Sequence, residues 1–168
     1  MLSGQRIREP LAAGFPAQFH FTVELWSEGG LLNQRERKTE YDVFVRRIAL
    51  ENVYEVTRIE DNRLLALGKF KEVDDAESAI GRPARVPITA PHSARRTFYY
   101  QVTLSVQIVT GSDLGELNSW LKGDLRPAIS GERNPGTALT RGLRTLEARL
   151  LGGESREYEK RTPAFRVP

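Results

Sequence analysis

A mainly β (α+β) fold is predicted: an antiparallel sheet or sandwich with two or three helices packed at one end, late in the chain. Three observations predict it. Residues 17–27 and 97–109 alternate apolar and polar side chains with period two. Polar or glycine-bearing breaks separate these runs from others of strand length. Two leucine-spaced stretches follow near 113–122 and 136–151. At 168 residues the chain suits a single domain. Its expected parts are an N-terminal arm at 1–16, a β-rich core at 17–153 and a C-terminal arm or last strand at 154–168.

The first strand places Phe19, Phe21, Val23 and Leu25 on one face and His20, Thr22, Glu24 and Trp26 on the other. Gly29 and Gly30 end it. A charged stretch at 33–40 leads into a second strand near 41–50, with Tyr41, Val43 and Val45 on one face. Residues 53–60 and 64–71 flank the polar turn Glu60-Asp61-Asn62-Arg63 and read as a hairpin. A short helix is expected over 73–81, with Asp74 and Asp75 early and Gly81 at its end. The Pro-rich stretch 82–91 reads as loop. The strongest strand follows at 97–109, with Phe98, Tyr100, Val102, Leu104, Val106 and Ile108 opposite Tyr99, Gln101, Thr103, Ser105 and Gln107. One face of such a sheet belongs in a core and the other in water.

Ser112 and Asp113 then suit the start of a helix to about residue 122, with Leu114, Leu117, Trp120 and Leu121. Asn134-Pro135 opens another, whose stripe is Leu139, Leu143, Leu146 and Leu150 and whose stop is Gly152-Gly153. From Glu154 the chain is strongly charged until Phe165 and Val167, which suit a final strand.

Composition excludes several chemistries. Without Cys there is no thiolate metal site, disulfide or cysteine nucleophile. His20 and His92 are the two imidazoles, and they lack the close spacing of a metal cluster. No G-x-S-x-G, P-loop or dinucleotide fingerprint occurs. The adjacent acids Asp74-Asp75 and Glu60-Asp61 suit a helix start and a turn better than an acid–base pair across a cleft. No catalytic residue, metal or cofactor is expected, and the protein is read as no enzyme.

The net charge is +3 and the pI about 9.4. Lys contributes at only 38, 69, 71, 122 and 160, so the positive charge is mostly Arg, whose planar fork suits carboxylate and phosphate. Tyr99 with Arg46-Arg47 and Arg95-Arg96 would suit a nucleic-acid surface, but acids are interleaved throughout. Trp26 reads either as an interface anchor on a wet face or as part of a second core layer. No run is apolar enough to span a membrane, and Arg6, Arg8 and Glu9 interrupt any signal-like start. A soluble, peripheral protein is therefore expected.

One resemblance adds to this. Leu11-x-x-Gly14-Phe15-Pro16-x-x-Phe19-x-Phe21-x-Val23-Glu24-Leu25-Trp26, then Tyr41-x-Val43, Tyr100-x-Val102-x-Leu104 and Leu117-x-x-Trp120-Leu121, is a pattern across roughly residues 11–125. It resembles an uncharacterised bacterial domain-of-unknown-function family of small β-rich envelope-associated proteins. The resemblance implies a periplasmic or envelope location; without it, the cytoplasm is expected. Together these readings point to a non-enzymatic accessory or structural subunit docked on protein subunits of a larger bacterial, membrane-bound complex. Its contacts would come from Phe15, Trp26, Arg46, Arg47, Arg95, Arg96, Arg161 and Phe165. A small-ligand or lipid carrier with a β-sandwich cavity, and a weak nucleic-acid-binding module, are the alternatives.

Overall fold

Alternating residues become strands wherever a neighbour pairs with them, and the charged stretches prove as able to do so as the apolar ones. The computed structural model describes residues 5–29, 32–60, 63–82, 88, 96–109 and 156–166. In chain order they form α1 (Gln5–Ala12), β1 (Ala17–Glu28), β2 (Gln34–Ile48), β3 (Val53–Glu60), β4 (Arg63–Phe70), α2 (Val73–Ile80), β5 (Thr97–Ile108), β6 (Arg156–Arg161) and β7 (Phe165–Arg166). The strands make one antiparallel sheet in the order β4-β3-β2-β1-β5-β6, with β7 also on β5, and it curls into a half-barrel. No second sheet occurs among the described residues. The helices expected at 113–122 and 136–151, with Trp120, lie outside those residues, as do His92, Arg95 and most of the Pro-rich stretch.

Three elements differ from the sequence reading. The expected arm at 1–16 contains α1, whose Leu11 is buried in the core. Gly14, at φ +94°, closes this helix: its N–H bonds to the Leu11 carbonyl and that of Phe15 to the Pro10 carbonyl. That is the left-handed helix stop which favours glycine. The second strand begins at Gln34 rather than near 41, because its charges find partners on β1: Glu24 lies opposite Lys38 and Trp26 opposite Arg35. The charged C-terminal stretch likewise becomes β6, pairing Arg156–Arg161 with Gln101–Val106 of β5.

The concave face holds the core. Ala17, Phe19, Val43, Val45, Val56, Leu104 and Val106 meet Leu11 of α1 and Ala76 and Ile80 of α2. Arg8 ties the two helices together through paired contacts to Glu77 at 2.9 and 2.8 Å and one to Asp74 at 2.7 Å. At the other end of the same face, Leu25 and Phe98 pack with Ile88, Tyr100 and Phe165. Two bulges bend the sheet. Leu25 pairs with Arg37 and Trp26 with Arg35, leaving Glu36 as the extra residue. Val56 pairs with Gly68 and Thr57 with Ala66, so Leu67 is extra and turns onto the core. Gly68 sits at φ +141°, where a Cβ would come within 2.9 Å of the Phe70 ring; only glycine suits that bend.

Candidate partner-binding site

Strand register builds a cross-strand ladder at the far end of the convex face. Trp26 lies directly opposite Arg35 of β2 on one side and Tyr99 of β5 on the other. The Trp26 and Tyr99 rings are stacked, 6.4 Å between centroids and 6° apart in plane. Arg161 of β6 lies over the Tyr99 ring, its guanidinium carbon 3.4 Å from the ring centroid. Such a contact is worth about 0.5–1 kcal/mol at an exposed site and about 2 kcal/mol when desolvated; here the ring is buried and the arginine is exposed. The order across four strands is therefore Arg, Trp, Tyr, Arg.

Each cation of the ladder has a carboxylate in the same chain. Arg35 Nη1 donates to Glu24 at 2.9 Å, and the Trp26 indole N–H donates to the same carboxylate at 3.1 Å. Arg161 donates to Glu28 at 2.6 Å. Arg96 donates to Glu36, the bulged residue, which also accepts a hydrogen bond of 2.6 Å from the Ser27 hydroxyl. Asn33 donates its amide to the Tyr99 hydroxyl at 3.2 Å. Arg35, Arg96 and Arg161 are thus each paired with a carboxylate of the same chain.

Of the residues expected to contact a partner, the structure brings Trp26 and Arg161 together, with Arg96 close by through Glu36 and Ser27. The others lie elsewhere. Arg46 contacts Glu55 on β3. Arg47 donates to the Ala12 carbonyl at the end of α1 and to Asn52 in the β2–β3 turn. Phe165 packs 5.3 Å from the Tyr100 ring and 6.2 Å from that of Phe98. Phe15 is exposed just after α1. Tyr99 and Glu24, which complete the ladder, are absent from the expected set. Both sit on the polar side of their strands; Tyr99 reaches Trp26 through the β1–β5 register and Glu24 reaches Arg35 through the β1–β2 register, neither of which period two reveals.

Further along the same face lies a polar network. The Asp42 carboxylate accepts from Gln18 Nε2 at 3.0 Å and from His20 Nδ1 at 2.9 Å. A carboxylate only accepts, so that ring nitrogen carries the proton. His20 Nε2 stands 3.5 Å from the Thr22 hydroxyl and 3.9 Å from Glu40. Burial pushes the Glu40 carboxyl up, but the hydrogen bond and charge of Lys38, the charge of His20 and the Thr22 hydroxyl outweigh it. Its folded value lies below the ordinary one. A lowered carboxylate contributes stability above its unfolded value and loses it as pH falls through the folded one. Stability of wild type and of Glu40→Gln, followed by urea denaturation from about pH 6 to about pH 3, should therefore differ at the neutral end and converge at the acid end. A pH-independent gap would remove Glu40 from the network.

Both edges of the sheet also expose apolar side chains. Leu64 and Leu65 on β4 and Tyr158 on β6 are about half exposed. No helix among the described residues is long and apolar enough to cross a membrane, and none of their His, Asp and Glu side chains group as a metal site. Comparison of the chain with family models, curated proteins and solved structures gives no match.

Proposed function

We propose that this chain is a non-enzymatic interaction protein, an accessory subunit that docks on a larger assembly through the β4 edge of its sheet. One observation carries the reading. Leu64 and Leu65 are 47% and 48% exposed, and being consecutive on an edge strand they point to opposite faces of the sheet. Natural edges are usually guarded by charge or distortion. Here the β4 bulge at Leu67 and Gly68 guards one end, Lys69 is drawn off by Glu51 at 2.7 Å, and residues 64–66 offer an apolar, regular run. A strand from a partner placed there would gain main-chain hydrogen bonds and cover both leucines.

The ladder supports a protein partner rather than a nucleic acid. The Tyr99 ring is buried and already contacts Trp26 and Arg161, and Arg35, Arg96 and Arg161 each hold a carboxylate. Phosphates would have to displace those carboxylates. The gap beneath α1 and α2, lined by Ile7, Leu11, Phe19 and Ile80, is water-sized and does not suit an acyl chain. That the assembly is a membrane-associated one in the bacterial envelope rests on the resemblance alone.

Tagged wild type and the double variant Leu64→Lys/Leu65→Lys, each isolated gently from detergent-solubilised cells, provide the test. Wild type should retain a stoichiometric partner complex that the variant loses, with both proteins unfolding at the same temperature within a few degrees, as surface changes do. A lone monomer in both preparations, or an unchanged complex in the variant, sinks the proposal.

A further inference from the structure

Strand register sorts the charges of the sheet by face. Residues directly opposite in an antiparallel pair share a face, and neighbours along a strand alternate. Glu24, Glu40, Asp42, Glu55, Glu157 and Glu159 therefore all belong to the convex face. The concave face carries cations instead. Arg37 lies opposite Leu25, Arg58 opposite Val43 and Leu65, Arg63 opposite Glu60, and Lys160 opposite Val102. The acids on or beside that face are already engaged: Glu60 lies 3.4 Å from Arg58, and Glu36 holds Arg96 and the Ser27 hydroxyl. The acids of α2 stand at the end that the helices close, where Asp74 and Glu77 hold Arg8. Between that end and the Leu25–Phe98 end the concave floor is apolar. Phe21 and Val23 of β1 stand beside Leu104 and Val102 of β5, with the Tyr41 ring stacked 4.8 Å from Phe21 and Tyr158 of β6 next to Leu104. Val23 and Val102 are half-buried and belong to neither end cluster. Cations flank this floor on both sides: Arg37, Arg58 and Arg63 on β2 to β4, and Lys160 on β6. The Arg58 guanidinium reaches to 5.8 Å from the Tyr41 ring centroid.

We infer that this trough docks an amphipathic helix of a partner protein, one whose apolar stripe is flanked by acids on both sides. β2 and β6 stand three strand spacings apart, roughly 14 Å along the sheet, and a helix with its side chains is about 10–12 Å across. Its stripe would rest on Phe21, Val23 and Val102, and its two acidic flanks would meet Arg37 and Arg58 on one rim and Lys160 on the other. The rims decide between occupants. A fatty carboxylate or phosphate carries its charge at one end and leaves one rim unanswered. A second copy of the same face would set cation against cation, which costs affinity. The contact is independent of docking at β4, because side chains of the concave face carry it whereas that edge offers main-chain groups.

The test uses the full chain and two fluorescein-labelled peptides, with binding read by fluorescence anisotropy. One peptide is a helix with leucines at spacings of three and four and glutamates on both flanks; its twin has lysines in place of the glutamates. Wild type should bind the first and not the second. Arg37→Glu and Lys160→Glu, at exposed positions on opposite rims, should each weaken that binding about fivefold or more. Lys38→Glu reverses a charge on the convex face, and Leu64→Lys alters the β4 edge; both should stay within about twofold of wild type. Equal binding of the twin, no binding of the glutamate peptide, or equal weakening by Lys38→Glu overturns the inference. An effect confined to one rim, with dodecanoate displacing the peptide, would assign the trough to a single-headed amphiphile and overturn it too. So would a wild-type dimer that Arg37→Glu dissociates, which would assign the trough to a second copy.

Discussion

Phe19→Ala should destabilise the protein by about 3–5 kcal/mol, read from urea denaturation as a lower midpoint at an unchanged slope. Phe19 is among the largest fully buried side chains. It pairs with Val43 on one side and Val106 on the other, and the residues of α1 and α2 close over it. Rigid strands on both flanks limit collapse into the cavity, which places the cost at the upper part of the usual range. Set against a total of about 5–15 kcal/mol for a domain, this single change removes a large share of the stability. Phe15→Ala, four residues earlier and exposed, should move the midpoint by no more than about 0.5 kcal/mol. A cost for Phe19→Ala below about 1.5 kcal/mol would mean that the helices do not close this end of the sheet.

Asp42→Ala is the second large effect, about 2–4 kcal/mol, and it arises from donors left behind rather than from lost volume. Gln18 Nε2 and His20 Nδ1 both point at the Asp42 carboxylate, and Gln18 is buried. With the carboxylate gone, each donor faces a site that water does not readily fill. Asp42→Asn keeps the shape and one acceptor and should cost roughly half as much. A double-mutant cycle with Gln18→Ala should show a coupling of about 1 kcal/mol or more, since the two share one contact. Independent, additive costs would mean that the network is held by the sheet and not by its own hydrogen bonds.

The elements that announced themselves in the sequence are those whose own side chains alternate. β1 and β5 each carry a one-sided apolar row, β3 is marked by the polar turn that follows it, and α2 carries acids in its first turn. The first half of β2 and all of β6 are strands because β1 and β5 lie beside them; their own residues are charged on both faces, and nothing local distinguishes them from a solvated tail. α1 is hidden for a related reason. Proline at position 10 interrupts its pattern, and its apolar face consists of little more than Ile7 and Leu11. The candidate site was half legible. Alternation put Trp26 and Tyr99 on the polar sides of their strands, and only the pairing of β1 with β5 makes them partners. For His20, alternation named the face, while Asp42 and Gln18 arrive through the β1–β2 register. Arg47 reads as a surface charge, yet it holds the end of α1.

The strand order sets a sequence of events for the chain's own assembly. β1 to β4 form a meander in which neighbours in the chain are neighbours in the sheet, so their pairing closes only short loops. β1 must wait for β5, however, because Ala17 pairs with Ile108 across most of the chain. The entropy of closing a loop grows with its length, and contacts so far apart form slowly. Until they do, β1 is an edge of the meander, with the phenylalanines of its inner face uncovered on that side. The newly synthesised meander therefore passes through a stage in which its future centre is its most adhesive border, and the risk of mispairing between nascent chains is concentrated on β1.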